Sequence, residues 1–485
     1  MALIAATLLV PLLGGLALPL FRFRSRRLRA WCVEAVTLAT SVLAGLLCLR
    51  GQGSELPLFC LGEGLALSFR VDGLSLVFTG LIAFLWPLAT LYAFEYMAHE
   101  EREKAFFTWY TLSYAVTLAV SMAANLLTLY VFYEFLTLVT LPLVTHKRNG
   151  ASLRAGWKYV IYSLSGAALA FIGLAVLLHH GSGTEFVLGG SLAAEGGDTL
   201  LIVVFVLAFL GFSVKAAMFP LHAWLPAASV APTPVTALLH AVAVVNAGAY
   251  ACMRLIYYCY GTAFLSGTWG QTAVLALAAF TVVFGSAVAV REQHFKRRLV
   301  YSTVSNLSYI LLGAALMTPA GMVGAMTHMV CHGLMKITLF YCAGAVLVKT
   351  GREYVQDLRG YGKKMPFTFA VYTLAAMALV GVPPLAGFLS KWNLLTAAAG
   401  SGLPVMGYVS VGALIVSAIL TAIYLLSVAV TAYFMPLNTG ETAETCDPSW
   451  RMKVPFAVLS CAIIAVGLLG APLTDWLSRI AAGLI

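Results

Sequence analysis

The chain has 485 residues, of which 61% are hydrophobic and only 10% are charged. Its mean hydropathy is +0.92, whereas soluble domains carry about 25% charged residues. This composition excludes an ordinary water-soluble domain, because there are too few charges to cover a water-facing surface. The formal net charge of +10 would suit nucleic-acid binding, but the positions of the basic residues argue against that class.

Apolar stretches long enough to cross a hydrocarbon core of about 30 Å recur along the whole sequence. We therefore predict an all-α integral membrane protein with about fourteen transmembrane helices. The predicted spans cover residues 3–20, 30–49, 72–95, 105–122, 124–145, 154–180, 199–228, 235–258, 268–290, 299–317, 320–348, 366–396, 406–435 and 454–478. The first span is interpreted as an uncleaved helix, because its positive charges follow the apolar run instead of preceding it.

Most of the 29 basic residues fall in alternate loops between these spans. They cluster at residues 22–29, 102–104, 147–158, 291–298, 349–364 and 451–453. The positive-inside rule makes these loops cytoplasmic and puts both termini outside a plasma (inner) membrane. Arg254 is one of the few basic residues expected at an outer end. The excess of positive charge is thus explained by membrane topology.

The segments between the spans are short and give little sign of a separate domain or cofactor site. Residues 50–71 alternate enough to predict a hairpin on the outer face, and residues 438–450 are interpreted as a cytoplasmic connector. The nine cysteines form no CxxC pair, so we expect packing residues and no cofactor in this chain. No amphipathic arm is expected after the last span.

Two predicted spans, 199–228 and 366–396, are too long for a single crossing and contain proline near the middle. Proline removes a backbone donor and clashes with the preceding turn. Broken helices persist at membrane depth only where they are buried in protein or line a cavity. Such a pair in corresponding positions of two halves points to a transporter site, and these spans carry Lys215 and Lys391. The alternative is a pair of kinked packing helices.

Glu134, Lys215, Lys336 and Lys391 are charged residues well inside predicted spans. Each central lysine costs roughly 2.5–3.5 kcal/mol before any pairing. Burial disfavours the charged form of a lysine and a nearby carboxylate favours it. The distance between the two groups then controls proton affinity, which is the chemistry that a pump needs.

His328, His332 and Lys336 recur every four residues, so one helix face carries all three. Histidine titrates near neutrality and suits an intermediate proton carrier. The two histidines could instead bind a metal, but no acidic residue accompanies them and Lys336 would repel a cation. His240 is a further candidate, with Asn246 six residues later. His222 fits a structural cap as well as a functional role.

Three segments carry a resemblance to a known family: SVKAAMFPLHAWLPAASVAPTPVTALLHA, HMVCHGLMKITLF and GVPPLAGFLSKWNLL. They resemble the antiporter-like membrane subunits of respiratory complex I (NADH:quinone oxidoreductase), of Mrp-type sodium/proton antiporters and of membrane-bound hydrogenases. The resemblance implies two inverted five-helix repeats, each with one broken helix. It implies proton translocation along the residues Glu134, Lys215, His240, His328, His332, Lys336 and Lys391.

The same resemblance divides the chain into four parts. Residues 1–104 hold the first three helices, 105–258 the first inverted repeat, 268–435 the second, and 436–485 the connector with the last helix. Some family members have a lysine where this chain has Asn246, which leaves the type of complex open. No electron-transfer site is expected in this chain, which would be a subunit of an oxidoreductase or an antiporter.

Three functions stay open from the sequence. The first is proton translocation coupled to redox chemistry in partner membrane subunits. The second is sodium/proton antiport within an Mrp-type complex. The third is an independent solute transporter or a membrane scaffold, which would not need three lysines in the middle of the membrane.

Overall fold

A computed structural model of the chain describes residues 1–62, 65–180, 183–192, 198–437 and 444–484. These residues form a helical bundle, which confirms the predicted fold class. The first elements are α1 (Ala2–Ala17), α2 (Arg26–Arg50), β1 (Glu55–Gly62), β2 (Leu65–Arg70), α3 (Gly73–Tyr96), α4 (Glu103–Ser121), α5 (Leu126–Val144) and α6 (Gly150–His180). They are followed by α7 (Thr199–Ser213), α8 (Trp224–Ala228), α9 (Thr233–Ala241), α10 (Val244–Arg254), α11 (Thr262–Leu265), α12 (Trp269–Arg291) and α13 (Phe295–Ala315). The last are α14 (Pro319–Thr350), α15 (Tyr361–Lys364), α16 (Pro366–Val380), α17 (Ala386–Ala399), α18 (Met406–Phe434), α19 (Trp450–Leu468) and α20 (Gly470–Ala481).

Every predicted span coincides with a helix or with a pair of helices in the described ranges. Nine helical stretches among them are long and apolar enough to cross a membrane. Three shorter apolar helices are Ala2–Ala17, Thr199–Ser213 and Pro366–Val380. The count of fourteen crossings and the inverted repeats stay predictions.

The predicted hairpin is present, and its position on the outer face stays a prediction. Strands β1 and β2 pair antiparallel, with Glu55 opposite Arg70 and Leu56 opposite Phe69. Phe69 is buried against the bundle, so the hairpin covers one end of α4 and α5. The predicted connector 438–450 falls partly outside the described residues, and 444–449 has no regular structure.

The two long spans are broken where proline predicts it. The first break separates α7 from α8 and contains Pro220. The second separates α16 from α17, where Gly381 has a φ of 102° and Pro383-Pro384 follows. A positive φ of this kind strains any residue that carries a Cβ, which explains glycine at the end of α16.

Two other spans were expected to be continuous and are not. Span 235–258 breaks at Val242 and Ala243 between α9 and α10, and α10 runs into a π-helical turn at Leu255–Tyr260. Span 454–478 breaks at Leu469 between α19 and α20. No proline follows the first of these breaks closely, so tertiary packing overrides the local helix preference there. At the second, Pro472 cannot donate to the carbonyl of Leu468, the last residue of α19, which ends that helix.

The core consists of α3, α9, α10, α13 and α14, whose residues are mostly buried. By contrast, α2 and α19 expose most of their apolar residues. An apolar exposed surface of this kind matches a lipid environment. The uninterrupted 32-residue helix α14 passes through the core and contacts α9, α13, α16 and α17.

Candidate functional site

The first element of the site is an ion pair between α5 and the break after α7. Lys215 Nζ lies 3.6 Å from Glu134 Oε1. The ammonium group also donates a hydrogen bond to the Tyr133 carbonyl and lies 3.4 Å from the centre of the Tyr133 ring. Lys215 is 1% exposed, whereas Glu134 is 21% exposed. The resemblance predicted this pairing, and the geometry brings the two residues together.

The second element is His240, one residue before the end of α9. Its ring is completely buried and lies 5.2 Å from the Phe340 ring of α14. Neither ring nitrogen has a hydrogen-bond partner among the described residues. Buried polar groups in proteins are normally satisfied by protein or ordered water.

The third element is the polar face of α14, where His328, His332 and Lys336 are completely buried. The rings of the two histidines are 6.2 Å apart. His328 Nδ1 lies 3.0 Å from Ser390 Oγ of α17. Lys336 Nζ donates to Ser302 Oγ of α13 at 2.5 Å. The predicted helical face therefore exists, and it is turned toward α13 and α17.

The fourth element is Lys391 on α17. Its Nζ donates a 3.0 Å hydrogen bond to the carbonyl of Val380, the last residue of α16. The C-terminal end of a helix carries partial negative charge, which favours a cation. Lys391 Nζ also lies 5.4 Å from the Tyr309 ring, and the same ring stacks on His328 at 5.0 Å. Tyr309 thus bridges the α14 face and the second break.

Two groups in or beside this region were not found by sequence reasoning. Asn393 Nδ2 lies 3.3 Å from Thr327 Oγ1 on α14 and 3.3 Å from Thr474 Oγ1 on α20. Asn393 therefore joins the polar face of α14 to α20. The only sequence signal is an amide two residues after Lys391 in an apolar stretch.

The second missed group is an ion pair between Arg254 and Asp72. Arg254 is the last residue of α10, and its side chain is completely buried, which the sequence did not predict. Its two terminal nitrogens lie 2.6 and 2.7 Å from the Asp72 carboxylate oxygens. Tyr250 and Ser75 accept further hydrogen bonds from the guanidinium. This pair fixes the C-terminal end of α10 to the start of α3.

His222 lies in the segment between α7 and α8, and its ring packs against Phe219 and Phe284. Its Nδ1 has no hydrogen-bond partner within the described ranges, so this atom caps no helix there. No cluster of three or more His, Cys, Asp or Glu with metal-binding geometry occurs in the described part of the chain. The metal alternative for His328 and His332 thus gains no additional ligand.

Comparison with known proteins identifies the chain by family. Residues 123–421 match the family model "NADH:quinone oxidoreductase/Mrp antiporter, TM". Residues 63–107 match "NADH-Ubiquinone oxidoreductase (complex I), chain 5 N-terminus".

Individual relatives agree with these matches. Subunit N of NADH-quinone oxidoreductase from Desulforudis audaxviator is 33% identical over 80% of this chain and 79% of its own length. Subunit L from Mycobacterium tuberculosis H37Rv is 33% identical over 86% of this chain, which spans 66% of that subunit. In structure, the chain is similar to one from the membrane-bound sulfane sulfur reductase, an archaeal respiratory membrane complex. The TM-score is 0.86 at 24% identity, covering 99% of this chain and 97% of the other. The chain is thus a multi-pass membrane protein and belongs to the NADH:quinone oxidoreductase/Mrp antiporter membrane-subunit family.

Proposed function

We propose that this chain translocates protons as one subunit of a multi-subunit membrane complex, with the redox chemistry carried out by partner subunits. The observation that carries the proposal is the ion pair between the buried Lys215 and the half-buried Glu134, with Nζ and Oε1 3.6 Å apart. The complex would lie in the plasma (inner) membrane, with both termini of the chain outside. This chain would hold no cofactor and no electron-transfer site.

The ion pair supplies a coupling mechanism because its strength depends on distance. Two unit charges about 4 Å apart interact by about 4 kcal/mol at an effective dielectric constant of about 20. Doubling the distance halves this energy, and a change of about 1.4 kcal/mol alters an equilibrium about tenfold. A movement of Glu134 or Lys215 by a few ångströms would therefore release or capture a proton.

The remaining carriers form a series from His240 and Lys336 through His332 and His328 to Lys391. All five are buried, and both ring nitrogens of His240 and of His332 lack a partner in the described part of the chain. Bridging water can satisfy such nitrogens and link rings that are 6.2 Å apart. Lys336 and Lys391 would lie at the two ends of the histidine pair. Each donates to a neutral oxygen, which accepts a hydrogen bond from the charged and from the neutral amine alike.

The test uses the intact complex reconstituted in vesicles and supplied with its electron donor. Lys215→Ala should reduce proton uptake at least tenfold, because the coupled charge is gone. Lys363→Ala, which removes an exposed lysine on α15, is the matched control and should pump as the wild type does. Unchanged pumping by an assembled Lys215→Ala complex would contradict the proposed coupling through the Glu134–Lys215 pair.

Sodium/proton antiport in an Mrp-type complex is the second candidate, since the matching family model includes those antiporters. The two functions differ in what drives them. A pH change that requires sodium but no electron donor indicates antiport, and one that requires an electron donor indicates redox coupling. The partners that co-purify with the chain give an independent answer.

A further inference from the structure

A cavity of about 390 Å³ lies beside the first broken helix. None of the seven residues proposed above to carry protons lines it. It is lined by Lys158 of α6, by His222 and Ser229 from either side of α8, and by Arg297 and Tyr301 of α13. Three of these side chains are basic and none is acidic. We call this cavity the basic pocket.

The charges around the basic pocket leave about one positive charge unbalanced. Arg297 Nη2 lies 3.3 Å from Glu292 Oε2, so this carboxylate offsets the guanidinium. Lys158 forms no ion pair with any described residue, and its nearest aromatic contact is the Tyr162 ring, 6.0 Å away. The Nδ1 atom of His222 is buried and has no partner among the described residues. A monoanion with several acceptor oxygens matches these donors.

The depth of the pocket corresponds to the headgroup region of a membrane. Helix α6 has 31 residues, so its length of about 46 Å exceeds a hydrocarbon core of about 30 Å. Lys158 is eight residues from the start of α6, and Arg297 and Tyr301 are near the start of α13. Basic, tryptophan and tyrosine side chains are typical of this level.

The surface next to the pocket is apolar. Four large apolar residues recur along one stripe of α6 and are exposed. They are Leu153 (48%), Trp157 (70%), Ile161 (58%) and Leu164 (58%). On α12, Phe280 is 51% exposed and packs on Phe219. Acyl chains could lie along these side chains while a headgroup occupies the pocket.

We propose that the basic pocket binds the phosphodiester headgroup of an anionic phospholipid, such as phosphatidylglycerol. Lys158, Arg297 and the Tyr301 hydroxyl provide the contacts to phosphate, since basic pockets between membrane helices suit anionic headgroups. The wall of the pocket includes His222, seven residues after Lys215. The lipid therefore contacts the segment that connects the Glu134–Lys215 pair to α8. The binding does not depend on the proposed transport function.

The test compares two double variants of the full chain in nanodiscs of phosphatidylcholine with added phosphatidylglycerol. Native mass spectrometry counts the phosphatidylglycerol molecules that stay bound. We expect Lys158→Gln with Arg297→Gln to retain one fewer, with an apparent Kd at least tenfold higher. The matched control is Arg154→Gln with Arg291→Gln, which removes two exposed charges outside the pocket. It should bind as the wild type does.

A charge-retaining variant, Lys158→Arg with Arg297→Lys, should keep the lipid and shows whether the pocket tolerates substitution. Equal loss of bound phosphatidylglycerol in both Gln double variants would overturn the proposal. It would mean that positive charge anywhere on this surface attracts the lipid. Unchanged retention in the pocket double would overturn it too. So would displacement of the lipid by millimolar inorganic phosphate, which indicates a free-anion site. If the intact complex carrying the pocket double also loses a partner subunit while its lipid count is unchanged, the pocket is a protein contact instead.

Discussion

The side-chain amide of Asn246 donates a 2.8 Å hydrogen bond to the carbonyl of Ala241, the last residue of α9. The two residues lie on opposite sides of the break at Val242 and Ala243, so this bond ties α9 to α10. Asn246 is completely buried. Because His240 immediately precedes Ala241, Asn246 acts as a positioning residue for the His240 ring.

The first prediction concerns this bond. Asn246→Leu keeps the size of the side chain but leaves the Ala241 carbonyl without its amide partner, which costs about 1–3 kcal/mol for a buried group. We expect proton transport to fall about tenfold as His240 shifts. The control is Thr373→Val, which removes a 2.8 Å hydrogen bond from the Thr373 hydroxyl to the Phe369 carbonyl on α16. Neither residue is among the proposed proton carriers. Equal transport by the two variants would show that Asn246 does not position His240.

The contrast between these breaks shows how far the sequence could predict the site. Proline marks the breaks beside Lys215 and Lys391, because its missing donor and its ring disrupt a helix wherever it is placed. The break after His240 has no such mark, since it depends on packing and on the Asn246 amide. Spacing within one helix likewise predicts the shared face of His328 and Lys336.

Contacts between distant segments could not be predicted in this way. Arg254 is predicted at a span end, and it is indeed the last residue of α10, but nothing in the sequence predicts its burial against Asp72, 182 residues earlier in the chain. Asn393 similarly meets Thr327 and Thr474 on two other helices. Periodicity reports which face of a helix a residue occupies, but not which helix lies opposite.

The second prediction separates the charge of Lys391 from its hydrogen bond. Lys391→Gln can still donate to the Val380 carbonyl, whereas Lys391→Met cannot. If the charge carries the function, both variants should lose proton transport, and only Lys391→Met should also lower the melting temperature. Transport in vesicles and thermal unfolding in detergent are the measurements. A Lys391→Gln variant with wild-type transport would limit Lys391 to a structural role.

The third prediction concerns stability at the C-terminal end of α10. Arg254→Met leaves the Asp72 carboxylate without its partner, and breaking a buried ion pair typically costs about 3–5 kcal/mol. We expect a clear drop in melting temperature. Adding Asp72→Asn should recover part of it, because the unpaired charge is then removed. If the double variant is no more stable than Arg254→Met, the unpaired Asp72 charge is not the cause of the lower melting temperature.

The last prediction concerns the close approach of α17 to α16. A Cβ atom placed on Gly387 would lie 1.7 Å from the carbonyl oxygen of Ala378, which is far inside van der Waals contact. Gly387→Ala must therefore push the start of α17 away from α16. Lys391 lies one turn further along α17, so its contact with the Val380 carbonyl should be lost as well.

We expect Gly387→Ala to lower the melting temperature and to reduce proton transport, both measured against Gly412→Ala. Gly412 lies on α18, and no atom of the described residues is within 4 Å of an added Cβ, so the same substitution there meets no obstacle among them. An alanine in place of glycine within a helix gains about 0.5–1 kcal/mol from reduced backbone entropy. Gly412→Ala should therefore be at least as stable as the wild type. If the two variants behave alike, the second break does not depend on the approach of Gly387 to Ala378.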